Sequence, residues 1–298
     1  MKILLLGKDG QVGQELQRTL LPLGEVIALG RHDVDLTDLD ALHATLRVHR
    51  PDTIVNAAAY TAVDKAENEK DLAAQINCRA VSALAQYSNE HNALLIHYST
   101  DYVFDGAAKN PYSETDPVGP QSVYGATKLA GEKAIIDSGC KALVFRTSWV
   151  FSSHGGNFLK TILRLARTKT SLNVVADQFG APTSAELIAD VSALAICSYR
   201  KKQFAEGLYH LTASGTASWH EFARYIVSEA SSRGAALQLT AERINAIPAR
   251  DYPTPAKRPQ NSRLNTSKLS QALQLQLPHW TAHTDRAIDQ LIQIGIPT

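Results

Sequence analysis

The sequence predicts an α/β fold: a doubly wound parallel sheet with a smaller C-terminal substrate-binding region. Three observations carry that expectation. Short, near-continuous apolar runs alternate with longer amphipathic ones through the first half of the 298 residues, as expected of strands buried on both faces by intervening helices. A glycine triplet stands at the first strand-to-helix turn. After about residue 150 the alternation loosens and prolines gather.

In chain order, the strand segments are "KILLL" (2–6), "EVIALG" (25–30), "DTIVNAAA" (52–59), "ALLIHYS" (93–99) and "ALVFRTS" (142–148). Between them "QVGQELQRTLL", "TDLDALHATLRVHR", "KDLAAQINCRAVSALAQYSNEHN" and "SVYGATKLAGEKAIIDS" have helical composition and length. The second half offers helices in "NFLKTILRLARTK" and "SAELIADVSALAICSYRKK", strands in "LNVV" and "GLYHLT", and a helix from Trp219 to about Ser232. Pro248, Pro253, Pro255 and Pro259 make "IPARDYPTPAKRPQNSR" a loop, because each removes a donor and restricts the residue before it. We therefore divide the chain into a dinucleotide-binding domain, residues 1–150, and a substrate-binding region, residues 151–298, interleaved with the first.

Composition narrows the partners. A formal charge of +1 without a dense basic stripe gives no electrostatic basis for binding nucleic acid or an anionic membrane. No run reaches the ~18 to 20 uninterrupted apolar residues of a membrane span. Cys78, Cys140 and Cys197 are odd in number and in no metal or redox spacing, and "MKILLLG" is too short for a signal segment. The expectation is a cytoplasmic protein with free thiols.

Gly7, Gly10 and Gly13 follow the first strand directly in the spacing G-x-x-G-x-x-G, with a helix after them. Glycines there permit a tight turn and close approach of backbone amides to a pyrophosphate, and the helix N-terminus adds partial positive charge. A dinucleotide is the expected ligand. At the end of the second strand, an acid would hold the ribose hydroxyls of NAD(H). Here Gly30 stands at the strand end and Arg31 follows, a guanidinium suited to a phosphate. That favours NADP(H) over NAD(H), although Asp33 or Asp35 could restore ribose contacts.

Reducing a ketone leaves negative charge on oxygen, so a proton donor must stand within ~3 Å of it. Tyr124 and Lys128 are four residues apart in a helical run and so share one face. An ammonium ~4 Å from the phenol would favour phenolate by up to about 4 kcal/mol, or ~3 pKa units, bringing it toward neutrality. "HYSTDYVFDG" ends the fourth strand at the sheet edge where ligands bind, which makes Thr100 the group to hold the carbonyl, with Ser99 in reserve.

"NAAAYTAVD", "YSTDYVFDG", "YGATKLAGEK" and "FRTSWVF", with the glycine turn, resemble the extended short-chain dehydrogenase/reductase superfamily and its Rossmann-like fold. "DQFGAPT" and "RPQNSRLNT" narrow the resemblance to the dTDP-4-dehydrorhamnose reductase family over essentially the whole chain. The resemblance implies reduction of a dTDP-linked 4-keto hexose in dTDP-rhamnose biosynthesis, with Tyr124 as acid, Lys128 on the nicotinamide ribose and Thr100 on the sugar. It further implies Gln11 and Val12 with Gly10 at the pyrophosphate, Asp35 and Leu36 at the adenine, and Ala59, Tyr60 and Thr61 along the cofactor. Asp101 and Trp149 match positions beside the sugar, and Arg258 or Arg263 would meet the diphosphate. Some members form a homodimer holding Mg²⁺ through carboxylates that match Glu15 and Glu186. The third acid there aligns with Gln290, beside Asp289, so Mg²⁺ and plain exposed helix acids stand as alternatives. Two other functions remain open: another nucleotide-sugar reductase, epimerase or dehydratase, and a non-catalytic regulatory subunit that only binds the nucleotide.

Overall fold

The structure, a computed structural model, describes residues 1–295; the last three residues of the expected second region, 296–298, lie outside them. The strands β1 (Lys2–Leu6), β2 (Glu25–Leu29), β3 (Thr53–Asn56), β4 (Leu94–Thr100) and β5 (Ala142–Thr147) form one parallel sheet. A sixth strand, Gly207–His210, adds to β5, also parallel. The spatial order runs from this sixth strand through β5, β4, β3 and β1 to β2. All seven residues of β4 are buried, as the middle of a doubly covered sheet requires.

The apolar alternation works as anticipated. One cluster, including Ile3, Leu5, Leu16, Phe145 and Ile188, fills one face of the sheet. Another, including Leu4, Leu6, Leu42, Leu84 and Val144, fills the other. Successive residues of β1 therefore point to opposite cores. Because β2 and β3 lie on opposite sides of β1, their connections leave in opposite directions and open a crevice at the carboxyl ends of the strands.

The expected "DTIVNAAA" strand stops at Asn56, and Ala57–Ala59 run on as crevice wall. The long helix after it is broken in register: Lys70–Ala74 and Ala80–Glu90 are joined by a π-helical turn, Gln75–Arg79. The helix Val123–Ser138 starts at Ser122, whose side chain accepts from the Gly125 amide, and stops at Gly139 in the left-handed region. The first sheet takes its last strand from residues 207–210, so a cut at residue 150 falls within one shared core. Among the described residues no helix is long and apolar enough to cross a membrane.

Candidate active site

A cavity of about 700 Å³ occupies the crevice. Its floor begins at the turn after β1. Gly7 has φ +85°, and a Cβ there would come within 2.6 Å of the Ala58 amide nitrogen. A Cβ on Gly13 would meet the Gly7 carbonyl at 1.9 Å, which is how the helix α1 (Gln11–Thr19) approaches the sheet. No side chain caps α1 at Gly10, so its first amides are free to face an anion. The turn thus fits a pyrophosphate.

Gly7, Gly10, Gln11 and Val12 line this cavity; Gly13 lies beneath it. Arg31, Asp35 and Leu36 line the end beyond β2, where Arg31 Nε donates to Asp35 at 3.3 Å from an exposed position. Asp33 is not a free ribose acceptor: its Oδ2 takes Lys8 Nζ at 2.6 Å and the Gly30 amide at 2.8 Å. Ala59, Tyr60 and Thr61 line the wall after β3. Asn77, from the π-helical turn, clamps Tyr60 by accepting from its amide at 2.9 Å and donating to its carbonyl at 3.1 Å.

Tyr124, Thr100, Asp101, Lys128 and Trp149 meet at the inner end of the same cavity. Thr100 donates to Asp101 Oδ1 at 3.0 Å and accepts from the Tyr102 amide at 3.2 Å, and its hydroxyl lies near enough to the Tyr124 phenol to favour the ionised form. Burial pushes the Asp101 carboxyl up to about 6. The phenol does not behave as the spacing argument anticipates. Burial pushes Tyr124 up to about 12, because the Lys128 amine turns away into the core and donates to the Tyr98 carbonyl at 2.6 Å. Burial also brings Lys128 down to about 8. A protonated phenol is nevertheless the form that gives a proton to a nascent alkoxide, since an alcohol is a weaker acid than a phenol.

Ser99 Oγ, Asp101 Oδ2 and Thr147 Oγ1 are buried, without hydrogen-bond partners, and belong to residues lining the cavity. Each unmade bond costs on the order of 1–3 kcal/mol, which a ligand bearing hydroxyl and carbonyl groups would relieve. Trp149 holds φ +49° and stacks on Trp219 at 3.5 Å, 7° from parallel. Trp219, expected from sequence only as the start of a helix, lines a second cavity of about 1130 Å³ between the helix Phe158–Ala166 and the proline-rich loop.

Arg258 lines that second cavity and pairs with Asp64 at 2.8 Å, while its Nη1 is buried without a partner. Arg263 lines neither cavity. Its guanidinium donates to Asn261 Oδ1 and the Lys109 carbonyl, bracing the loop. Glu15 and Glu186 line neither cavity, and burial together with Glu186 raises the Glu15 carboxyl. Both oxygens of Glu186 accept from Arg286 Nε at 2.8 and 2.9 Å, and Gln290 Nε2 adds a third bond at 3.1 Å. A guanidinium thus stands where Mg²⁺ would be expected, and among the described residues no cluster of three or more His, Cys, Asp or Glu could hold a metal. These donors do not fit the ion.

Three buried side chains escaped the sequence reading: His97, Asn56 and Glu132. The signal was present, since Glu132 continues the four-residue spacing of Tyr124 and Lys128 along one helix face. Glu132 forms a bidentate pair with Arg146 of β5 at 2.6 and 2.9 Å.

The family model described as "RmlD substrate binding domain" matches residues 1–293. A dTDP-4-dehydrorhamnose reductase of Shigella flexneri is 51% identical over 295 residues, covering 98% of each chain. Among solved structures, a dTDP-4-dehydrorhamnose reductase of Clostridium acetobutylicum is similar with a TM-score of 0.88 at 36% identity, covering 98% of this chain and 100% of that one. Another, from Bacillus anthracis in complex with NADP, has a TM-score of 0.88 at 31% identity over 97% and 99% of the two chains.

Proposed function

The chain belongs to the dTDP-4-dehydrorhamnose reductase family, and from that premise we propose that it reduces the 4-keto group of dTDP-4-dehydro-6-deoxy-L-mannose to dTDP-L-rhamnose, using NADPH in preference to NADH. The observation that carries the reading is the convergence of Tyr124, Thr100 and three partnerless polar atoms at the inner end of a cleft whose outer end is a glycine turn. A nicotinamide cofactor held along that cleft would supply the hydride that the carbonyl carbon takes up. Tyr124 would then give its phenolic proton to the sugar oxygen, and Thr100 would orient that oxygen by turning to it the one O–H that Asp101 holds in this structure.

The cations at the adenosine end support NADPH: Arg31 is exposed and Lys8 stands nearby on Asp33, set against the Asp9 carboxylate beside Gly30. A 2′-phosphate would gain from both cations. The region from residue 151 onward we assign to covering the substrate, with Arg258 Nη1 as donor to the diphosphate and Trp149 against the sugar. A cytoplasmic location agrees with three free cysteines. Mixing the protein, NADPH and the keto sugar nucleotide should deplete the absorbance of reduced nicotinamide, stoichiometrically with rhamnose nucleotide formed. A flat trace with cofactor demonstrably bound would leave only a nucleotide-binding module.

A further inference from the structure

We propose that His97, locked by Asn56 into the tautomer with its proton on Nε2, holds Lys128 as a neutral amine in the cofactor-free protein, so that cofactor binding draws a proton into the site. The second half of this statement rests on the reading of the cleft as an NADPH site; the first does not.

The chain of contacts starts at a backbone amide. Ala58 N–H donates to Asn56 Oδ1 at 3.2 Å, which orients the Asn56 amide and turns its Nδ2 donor toward His97 Nδ1 at 3.3 Å. A donor facing Nδ1 requires a lone pair there. His97 is wholly buried, and that burial holds its pKa well below 6.5 and keeps it neutral, so its single ring proton sits on Nε2. Nε2 stands 3.2 Å from Lys128 Nζ. An ammonium has three donors and no acceptor, so it would place N–H against N–H. A neutral amine offers the one lone pair that Nε2–H needs and still donates to the Tyr98 carbonyl at 2.6 Å. Only the neutral form satisfies every contact in the chain from Ala58 to Lys128.

The charged and titratable groups around the amine do not reverse this. Glu132, one turn further along the same helix, favours the ammonium, but its carboxylate is already neutralised by both nitrogens of Arg146 from β5. Tyr124, one turn earlier, is a protonated phenol, and β4 brings two titratable neighbours, neutral His97 and Tyr98, whose phenol is pushed up by burial and donates to Ser192. Burial, opposed by Glu132, brings Lys128 down to about 8, and an Nε2–H facing Nζ at 3.2 Å disfavours the ammonium further. Charging Lys128 therefore requires Nζ to leave His97 for an acceptor in the cleft. A polyanionic cofactor with ribose hydroxyls provides both the acceptors and the attraction, so reorientation and protonation become one event. His97 touches neither cleft ligand nor Tyr124 and acts through Lys128, as a positioning residue.

Nitrogen NMR of the cofactor-free protein reads the tautomer and the lysine charge directly. The expected result is a protonated Nε2, a bare Nδ1 and a Lys128 amine at about pH 8, where an ordinary lysine is charged more than a hundredfold over. A proton on Nδ1, or an ammonium at Lys128, would overturn the proposal. His97→Gln supplies a carbonyl oxygen that accepts from an ammonium, and should raise the Lys128 midpoint by about one pH unit or more, a tenfold change in the ratio of the two forms. An unchanged midpoint in a folded H97Q protein counts against it equally. Should H97Q not fold, the wild-type spectra decide.

Calorimetry of NADPH binding in buffers of different ionisation enthalpy should then show close to one proton taken up by the wild type at about pH 8, and much less by H97Q. Binding without uptake would sink the coupling. Failure of NADPH to bind at all would instead remove the cofactor assignment, leaving the tautomer and the neutral amine as measured.

Discussion

At Tyr124 two effects compete for the same phenol. The spacing to Lys128 argues for a lowered pKa; burial argues for a raised one, and in the cofactor-free cleft burial wins because the lysine nitrogen points at Tyr98 and His97 instead. Tyr124→Phe should cut turnover by about a thousandfold, within the range for losing a general acid, while NADPH binding stays near wild type by fluorescence titration. Lys128→Ala should weaken both. Asp101 gives a pH signature. Its carboxyl is raised to about 6 in the folded chain from 3.8, so between those values the folded state holds a proton that the unfolded chain has lost. Its contribution favours folding at low pH, fades through that window, and above it is a standing cost of up to about 3 kcal/mol, roughly two units at about 1.4 kcal/mol each. Urea unfolding should find Asp101→Asn gaining on the wild type between about pH 4 and pH 6.5 and level thereafter. A difference independent of pH would mean the carboxyl titrates normally.

Elements place these residues. The helix Val123–Ser138 presents Tyr124, Lys128 and Glu132 on one face, a consequence of the helical period legible in "YGATKLAGEK". How closely it approaches its neighbour is not legible there. A Cβ on Gly131 would lie 2.3 Å from the Asn77 carbonyl of the π-helical turn, and Asn77 also donates to Thr127 at 3.2 Å while clamping Tyr60. Alanine at a helix-interior glycine gains about 1 kcal/mol in propensity, but overpacking against a backbone atom costs typically 1–3 kcal/mol, so the clash prevails. Gly131→Ala should lower the melting temperature and weaken NADPH binding together, since the helix and the Tyr60 wall move as a unit. A protein as stable as the wild type would show that the helix shifts freely. The π-helical turn itself was read from sequence as continuous helix, because one extra residue in a turn barely alters apolar periodicity.

On the scale of the whole molecule, the cleft lies where the strand order reverses about β1, and the proline-rich loop, tied back by Arg258 to Asp64, walls the second cavity. A ligand filling this cleft binds the folded chain alone, so NADPH at about a hundred times its dissociation constant should add ~2.7 kcal/mol to unfolding. NADH at the same concentration should add less, and Arg31→Ala should close most of that gap in a melting assay. Equal shifts for both cofactors in the wild type would deny the guanidinium its role. The glycine turn, the strand rhythm and the Tyr124–Lys128 spacing were readable one residue at a time, because each is a local requirement of backbone sterics or helical period. Which arginine reaches a cavity, what faces Glu186, and the line from Ala58 through Asn56 and His97 to Lys128 were not. Those contacts join residues dozens of positions apart, and only the closed tertiary structure decides whether a buried donor meets a lone pair or another donor.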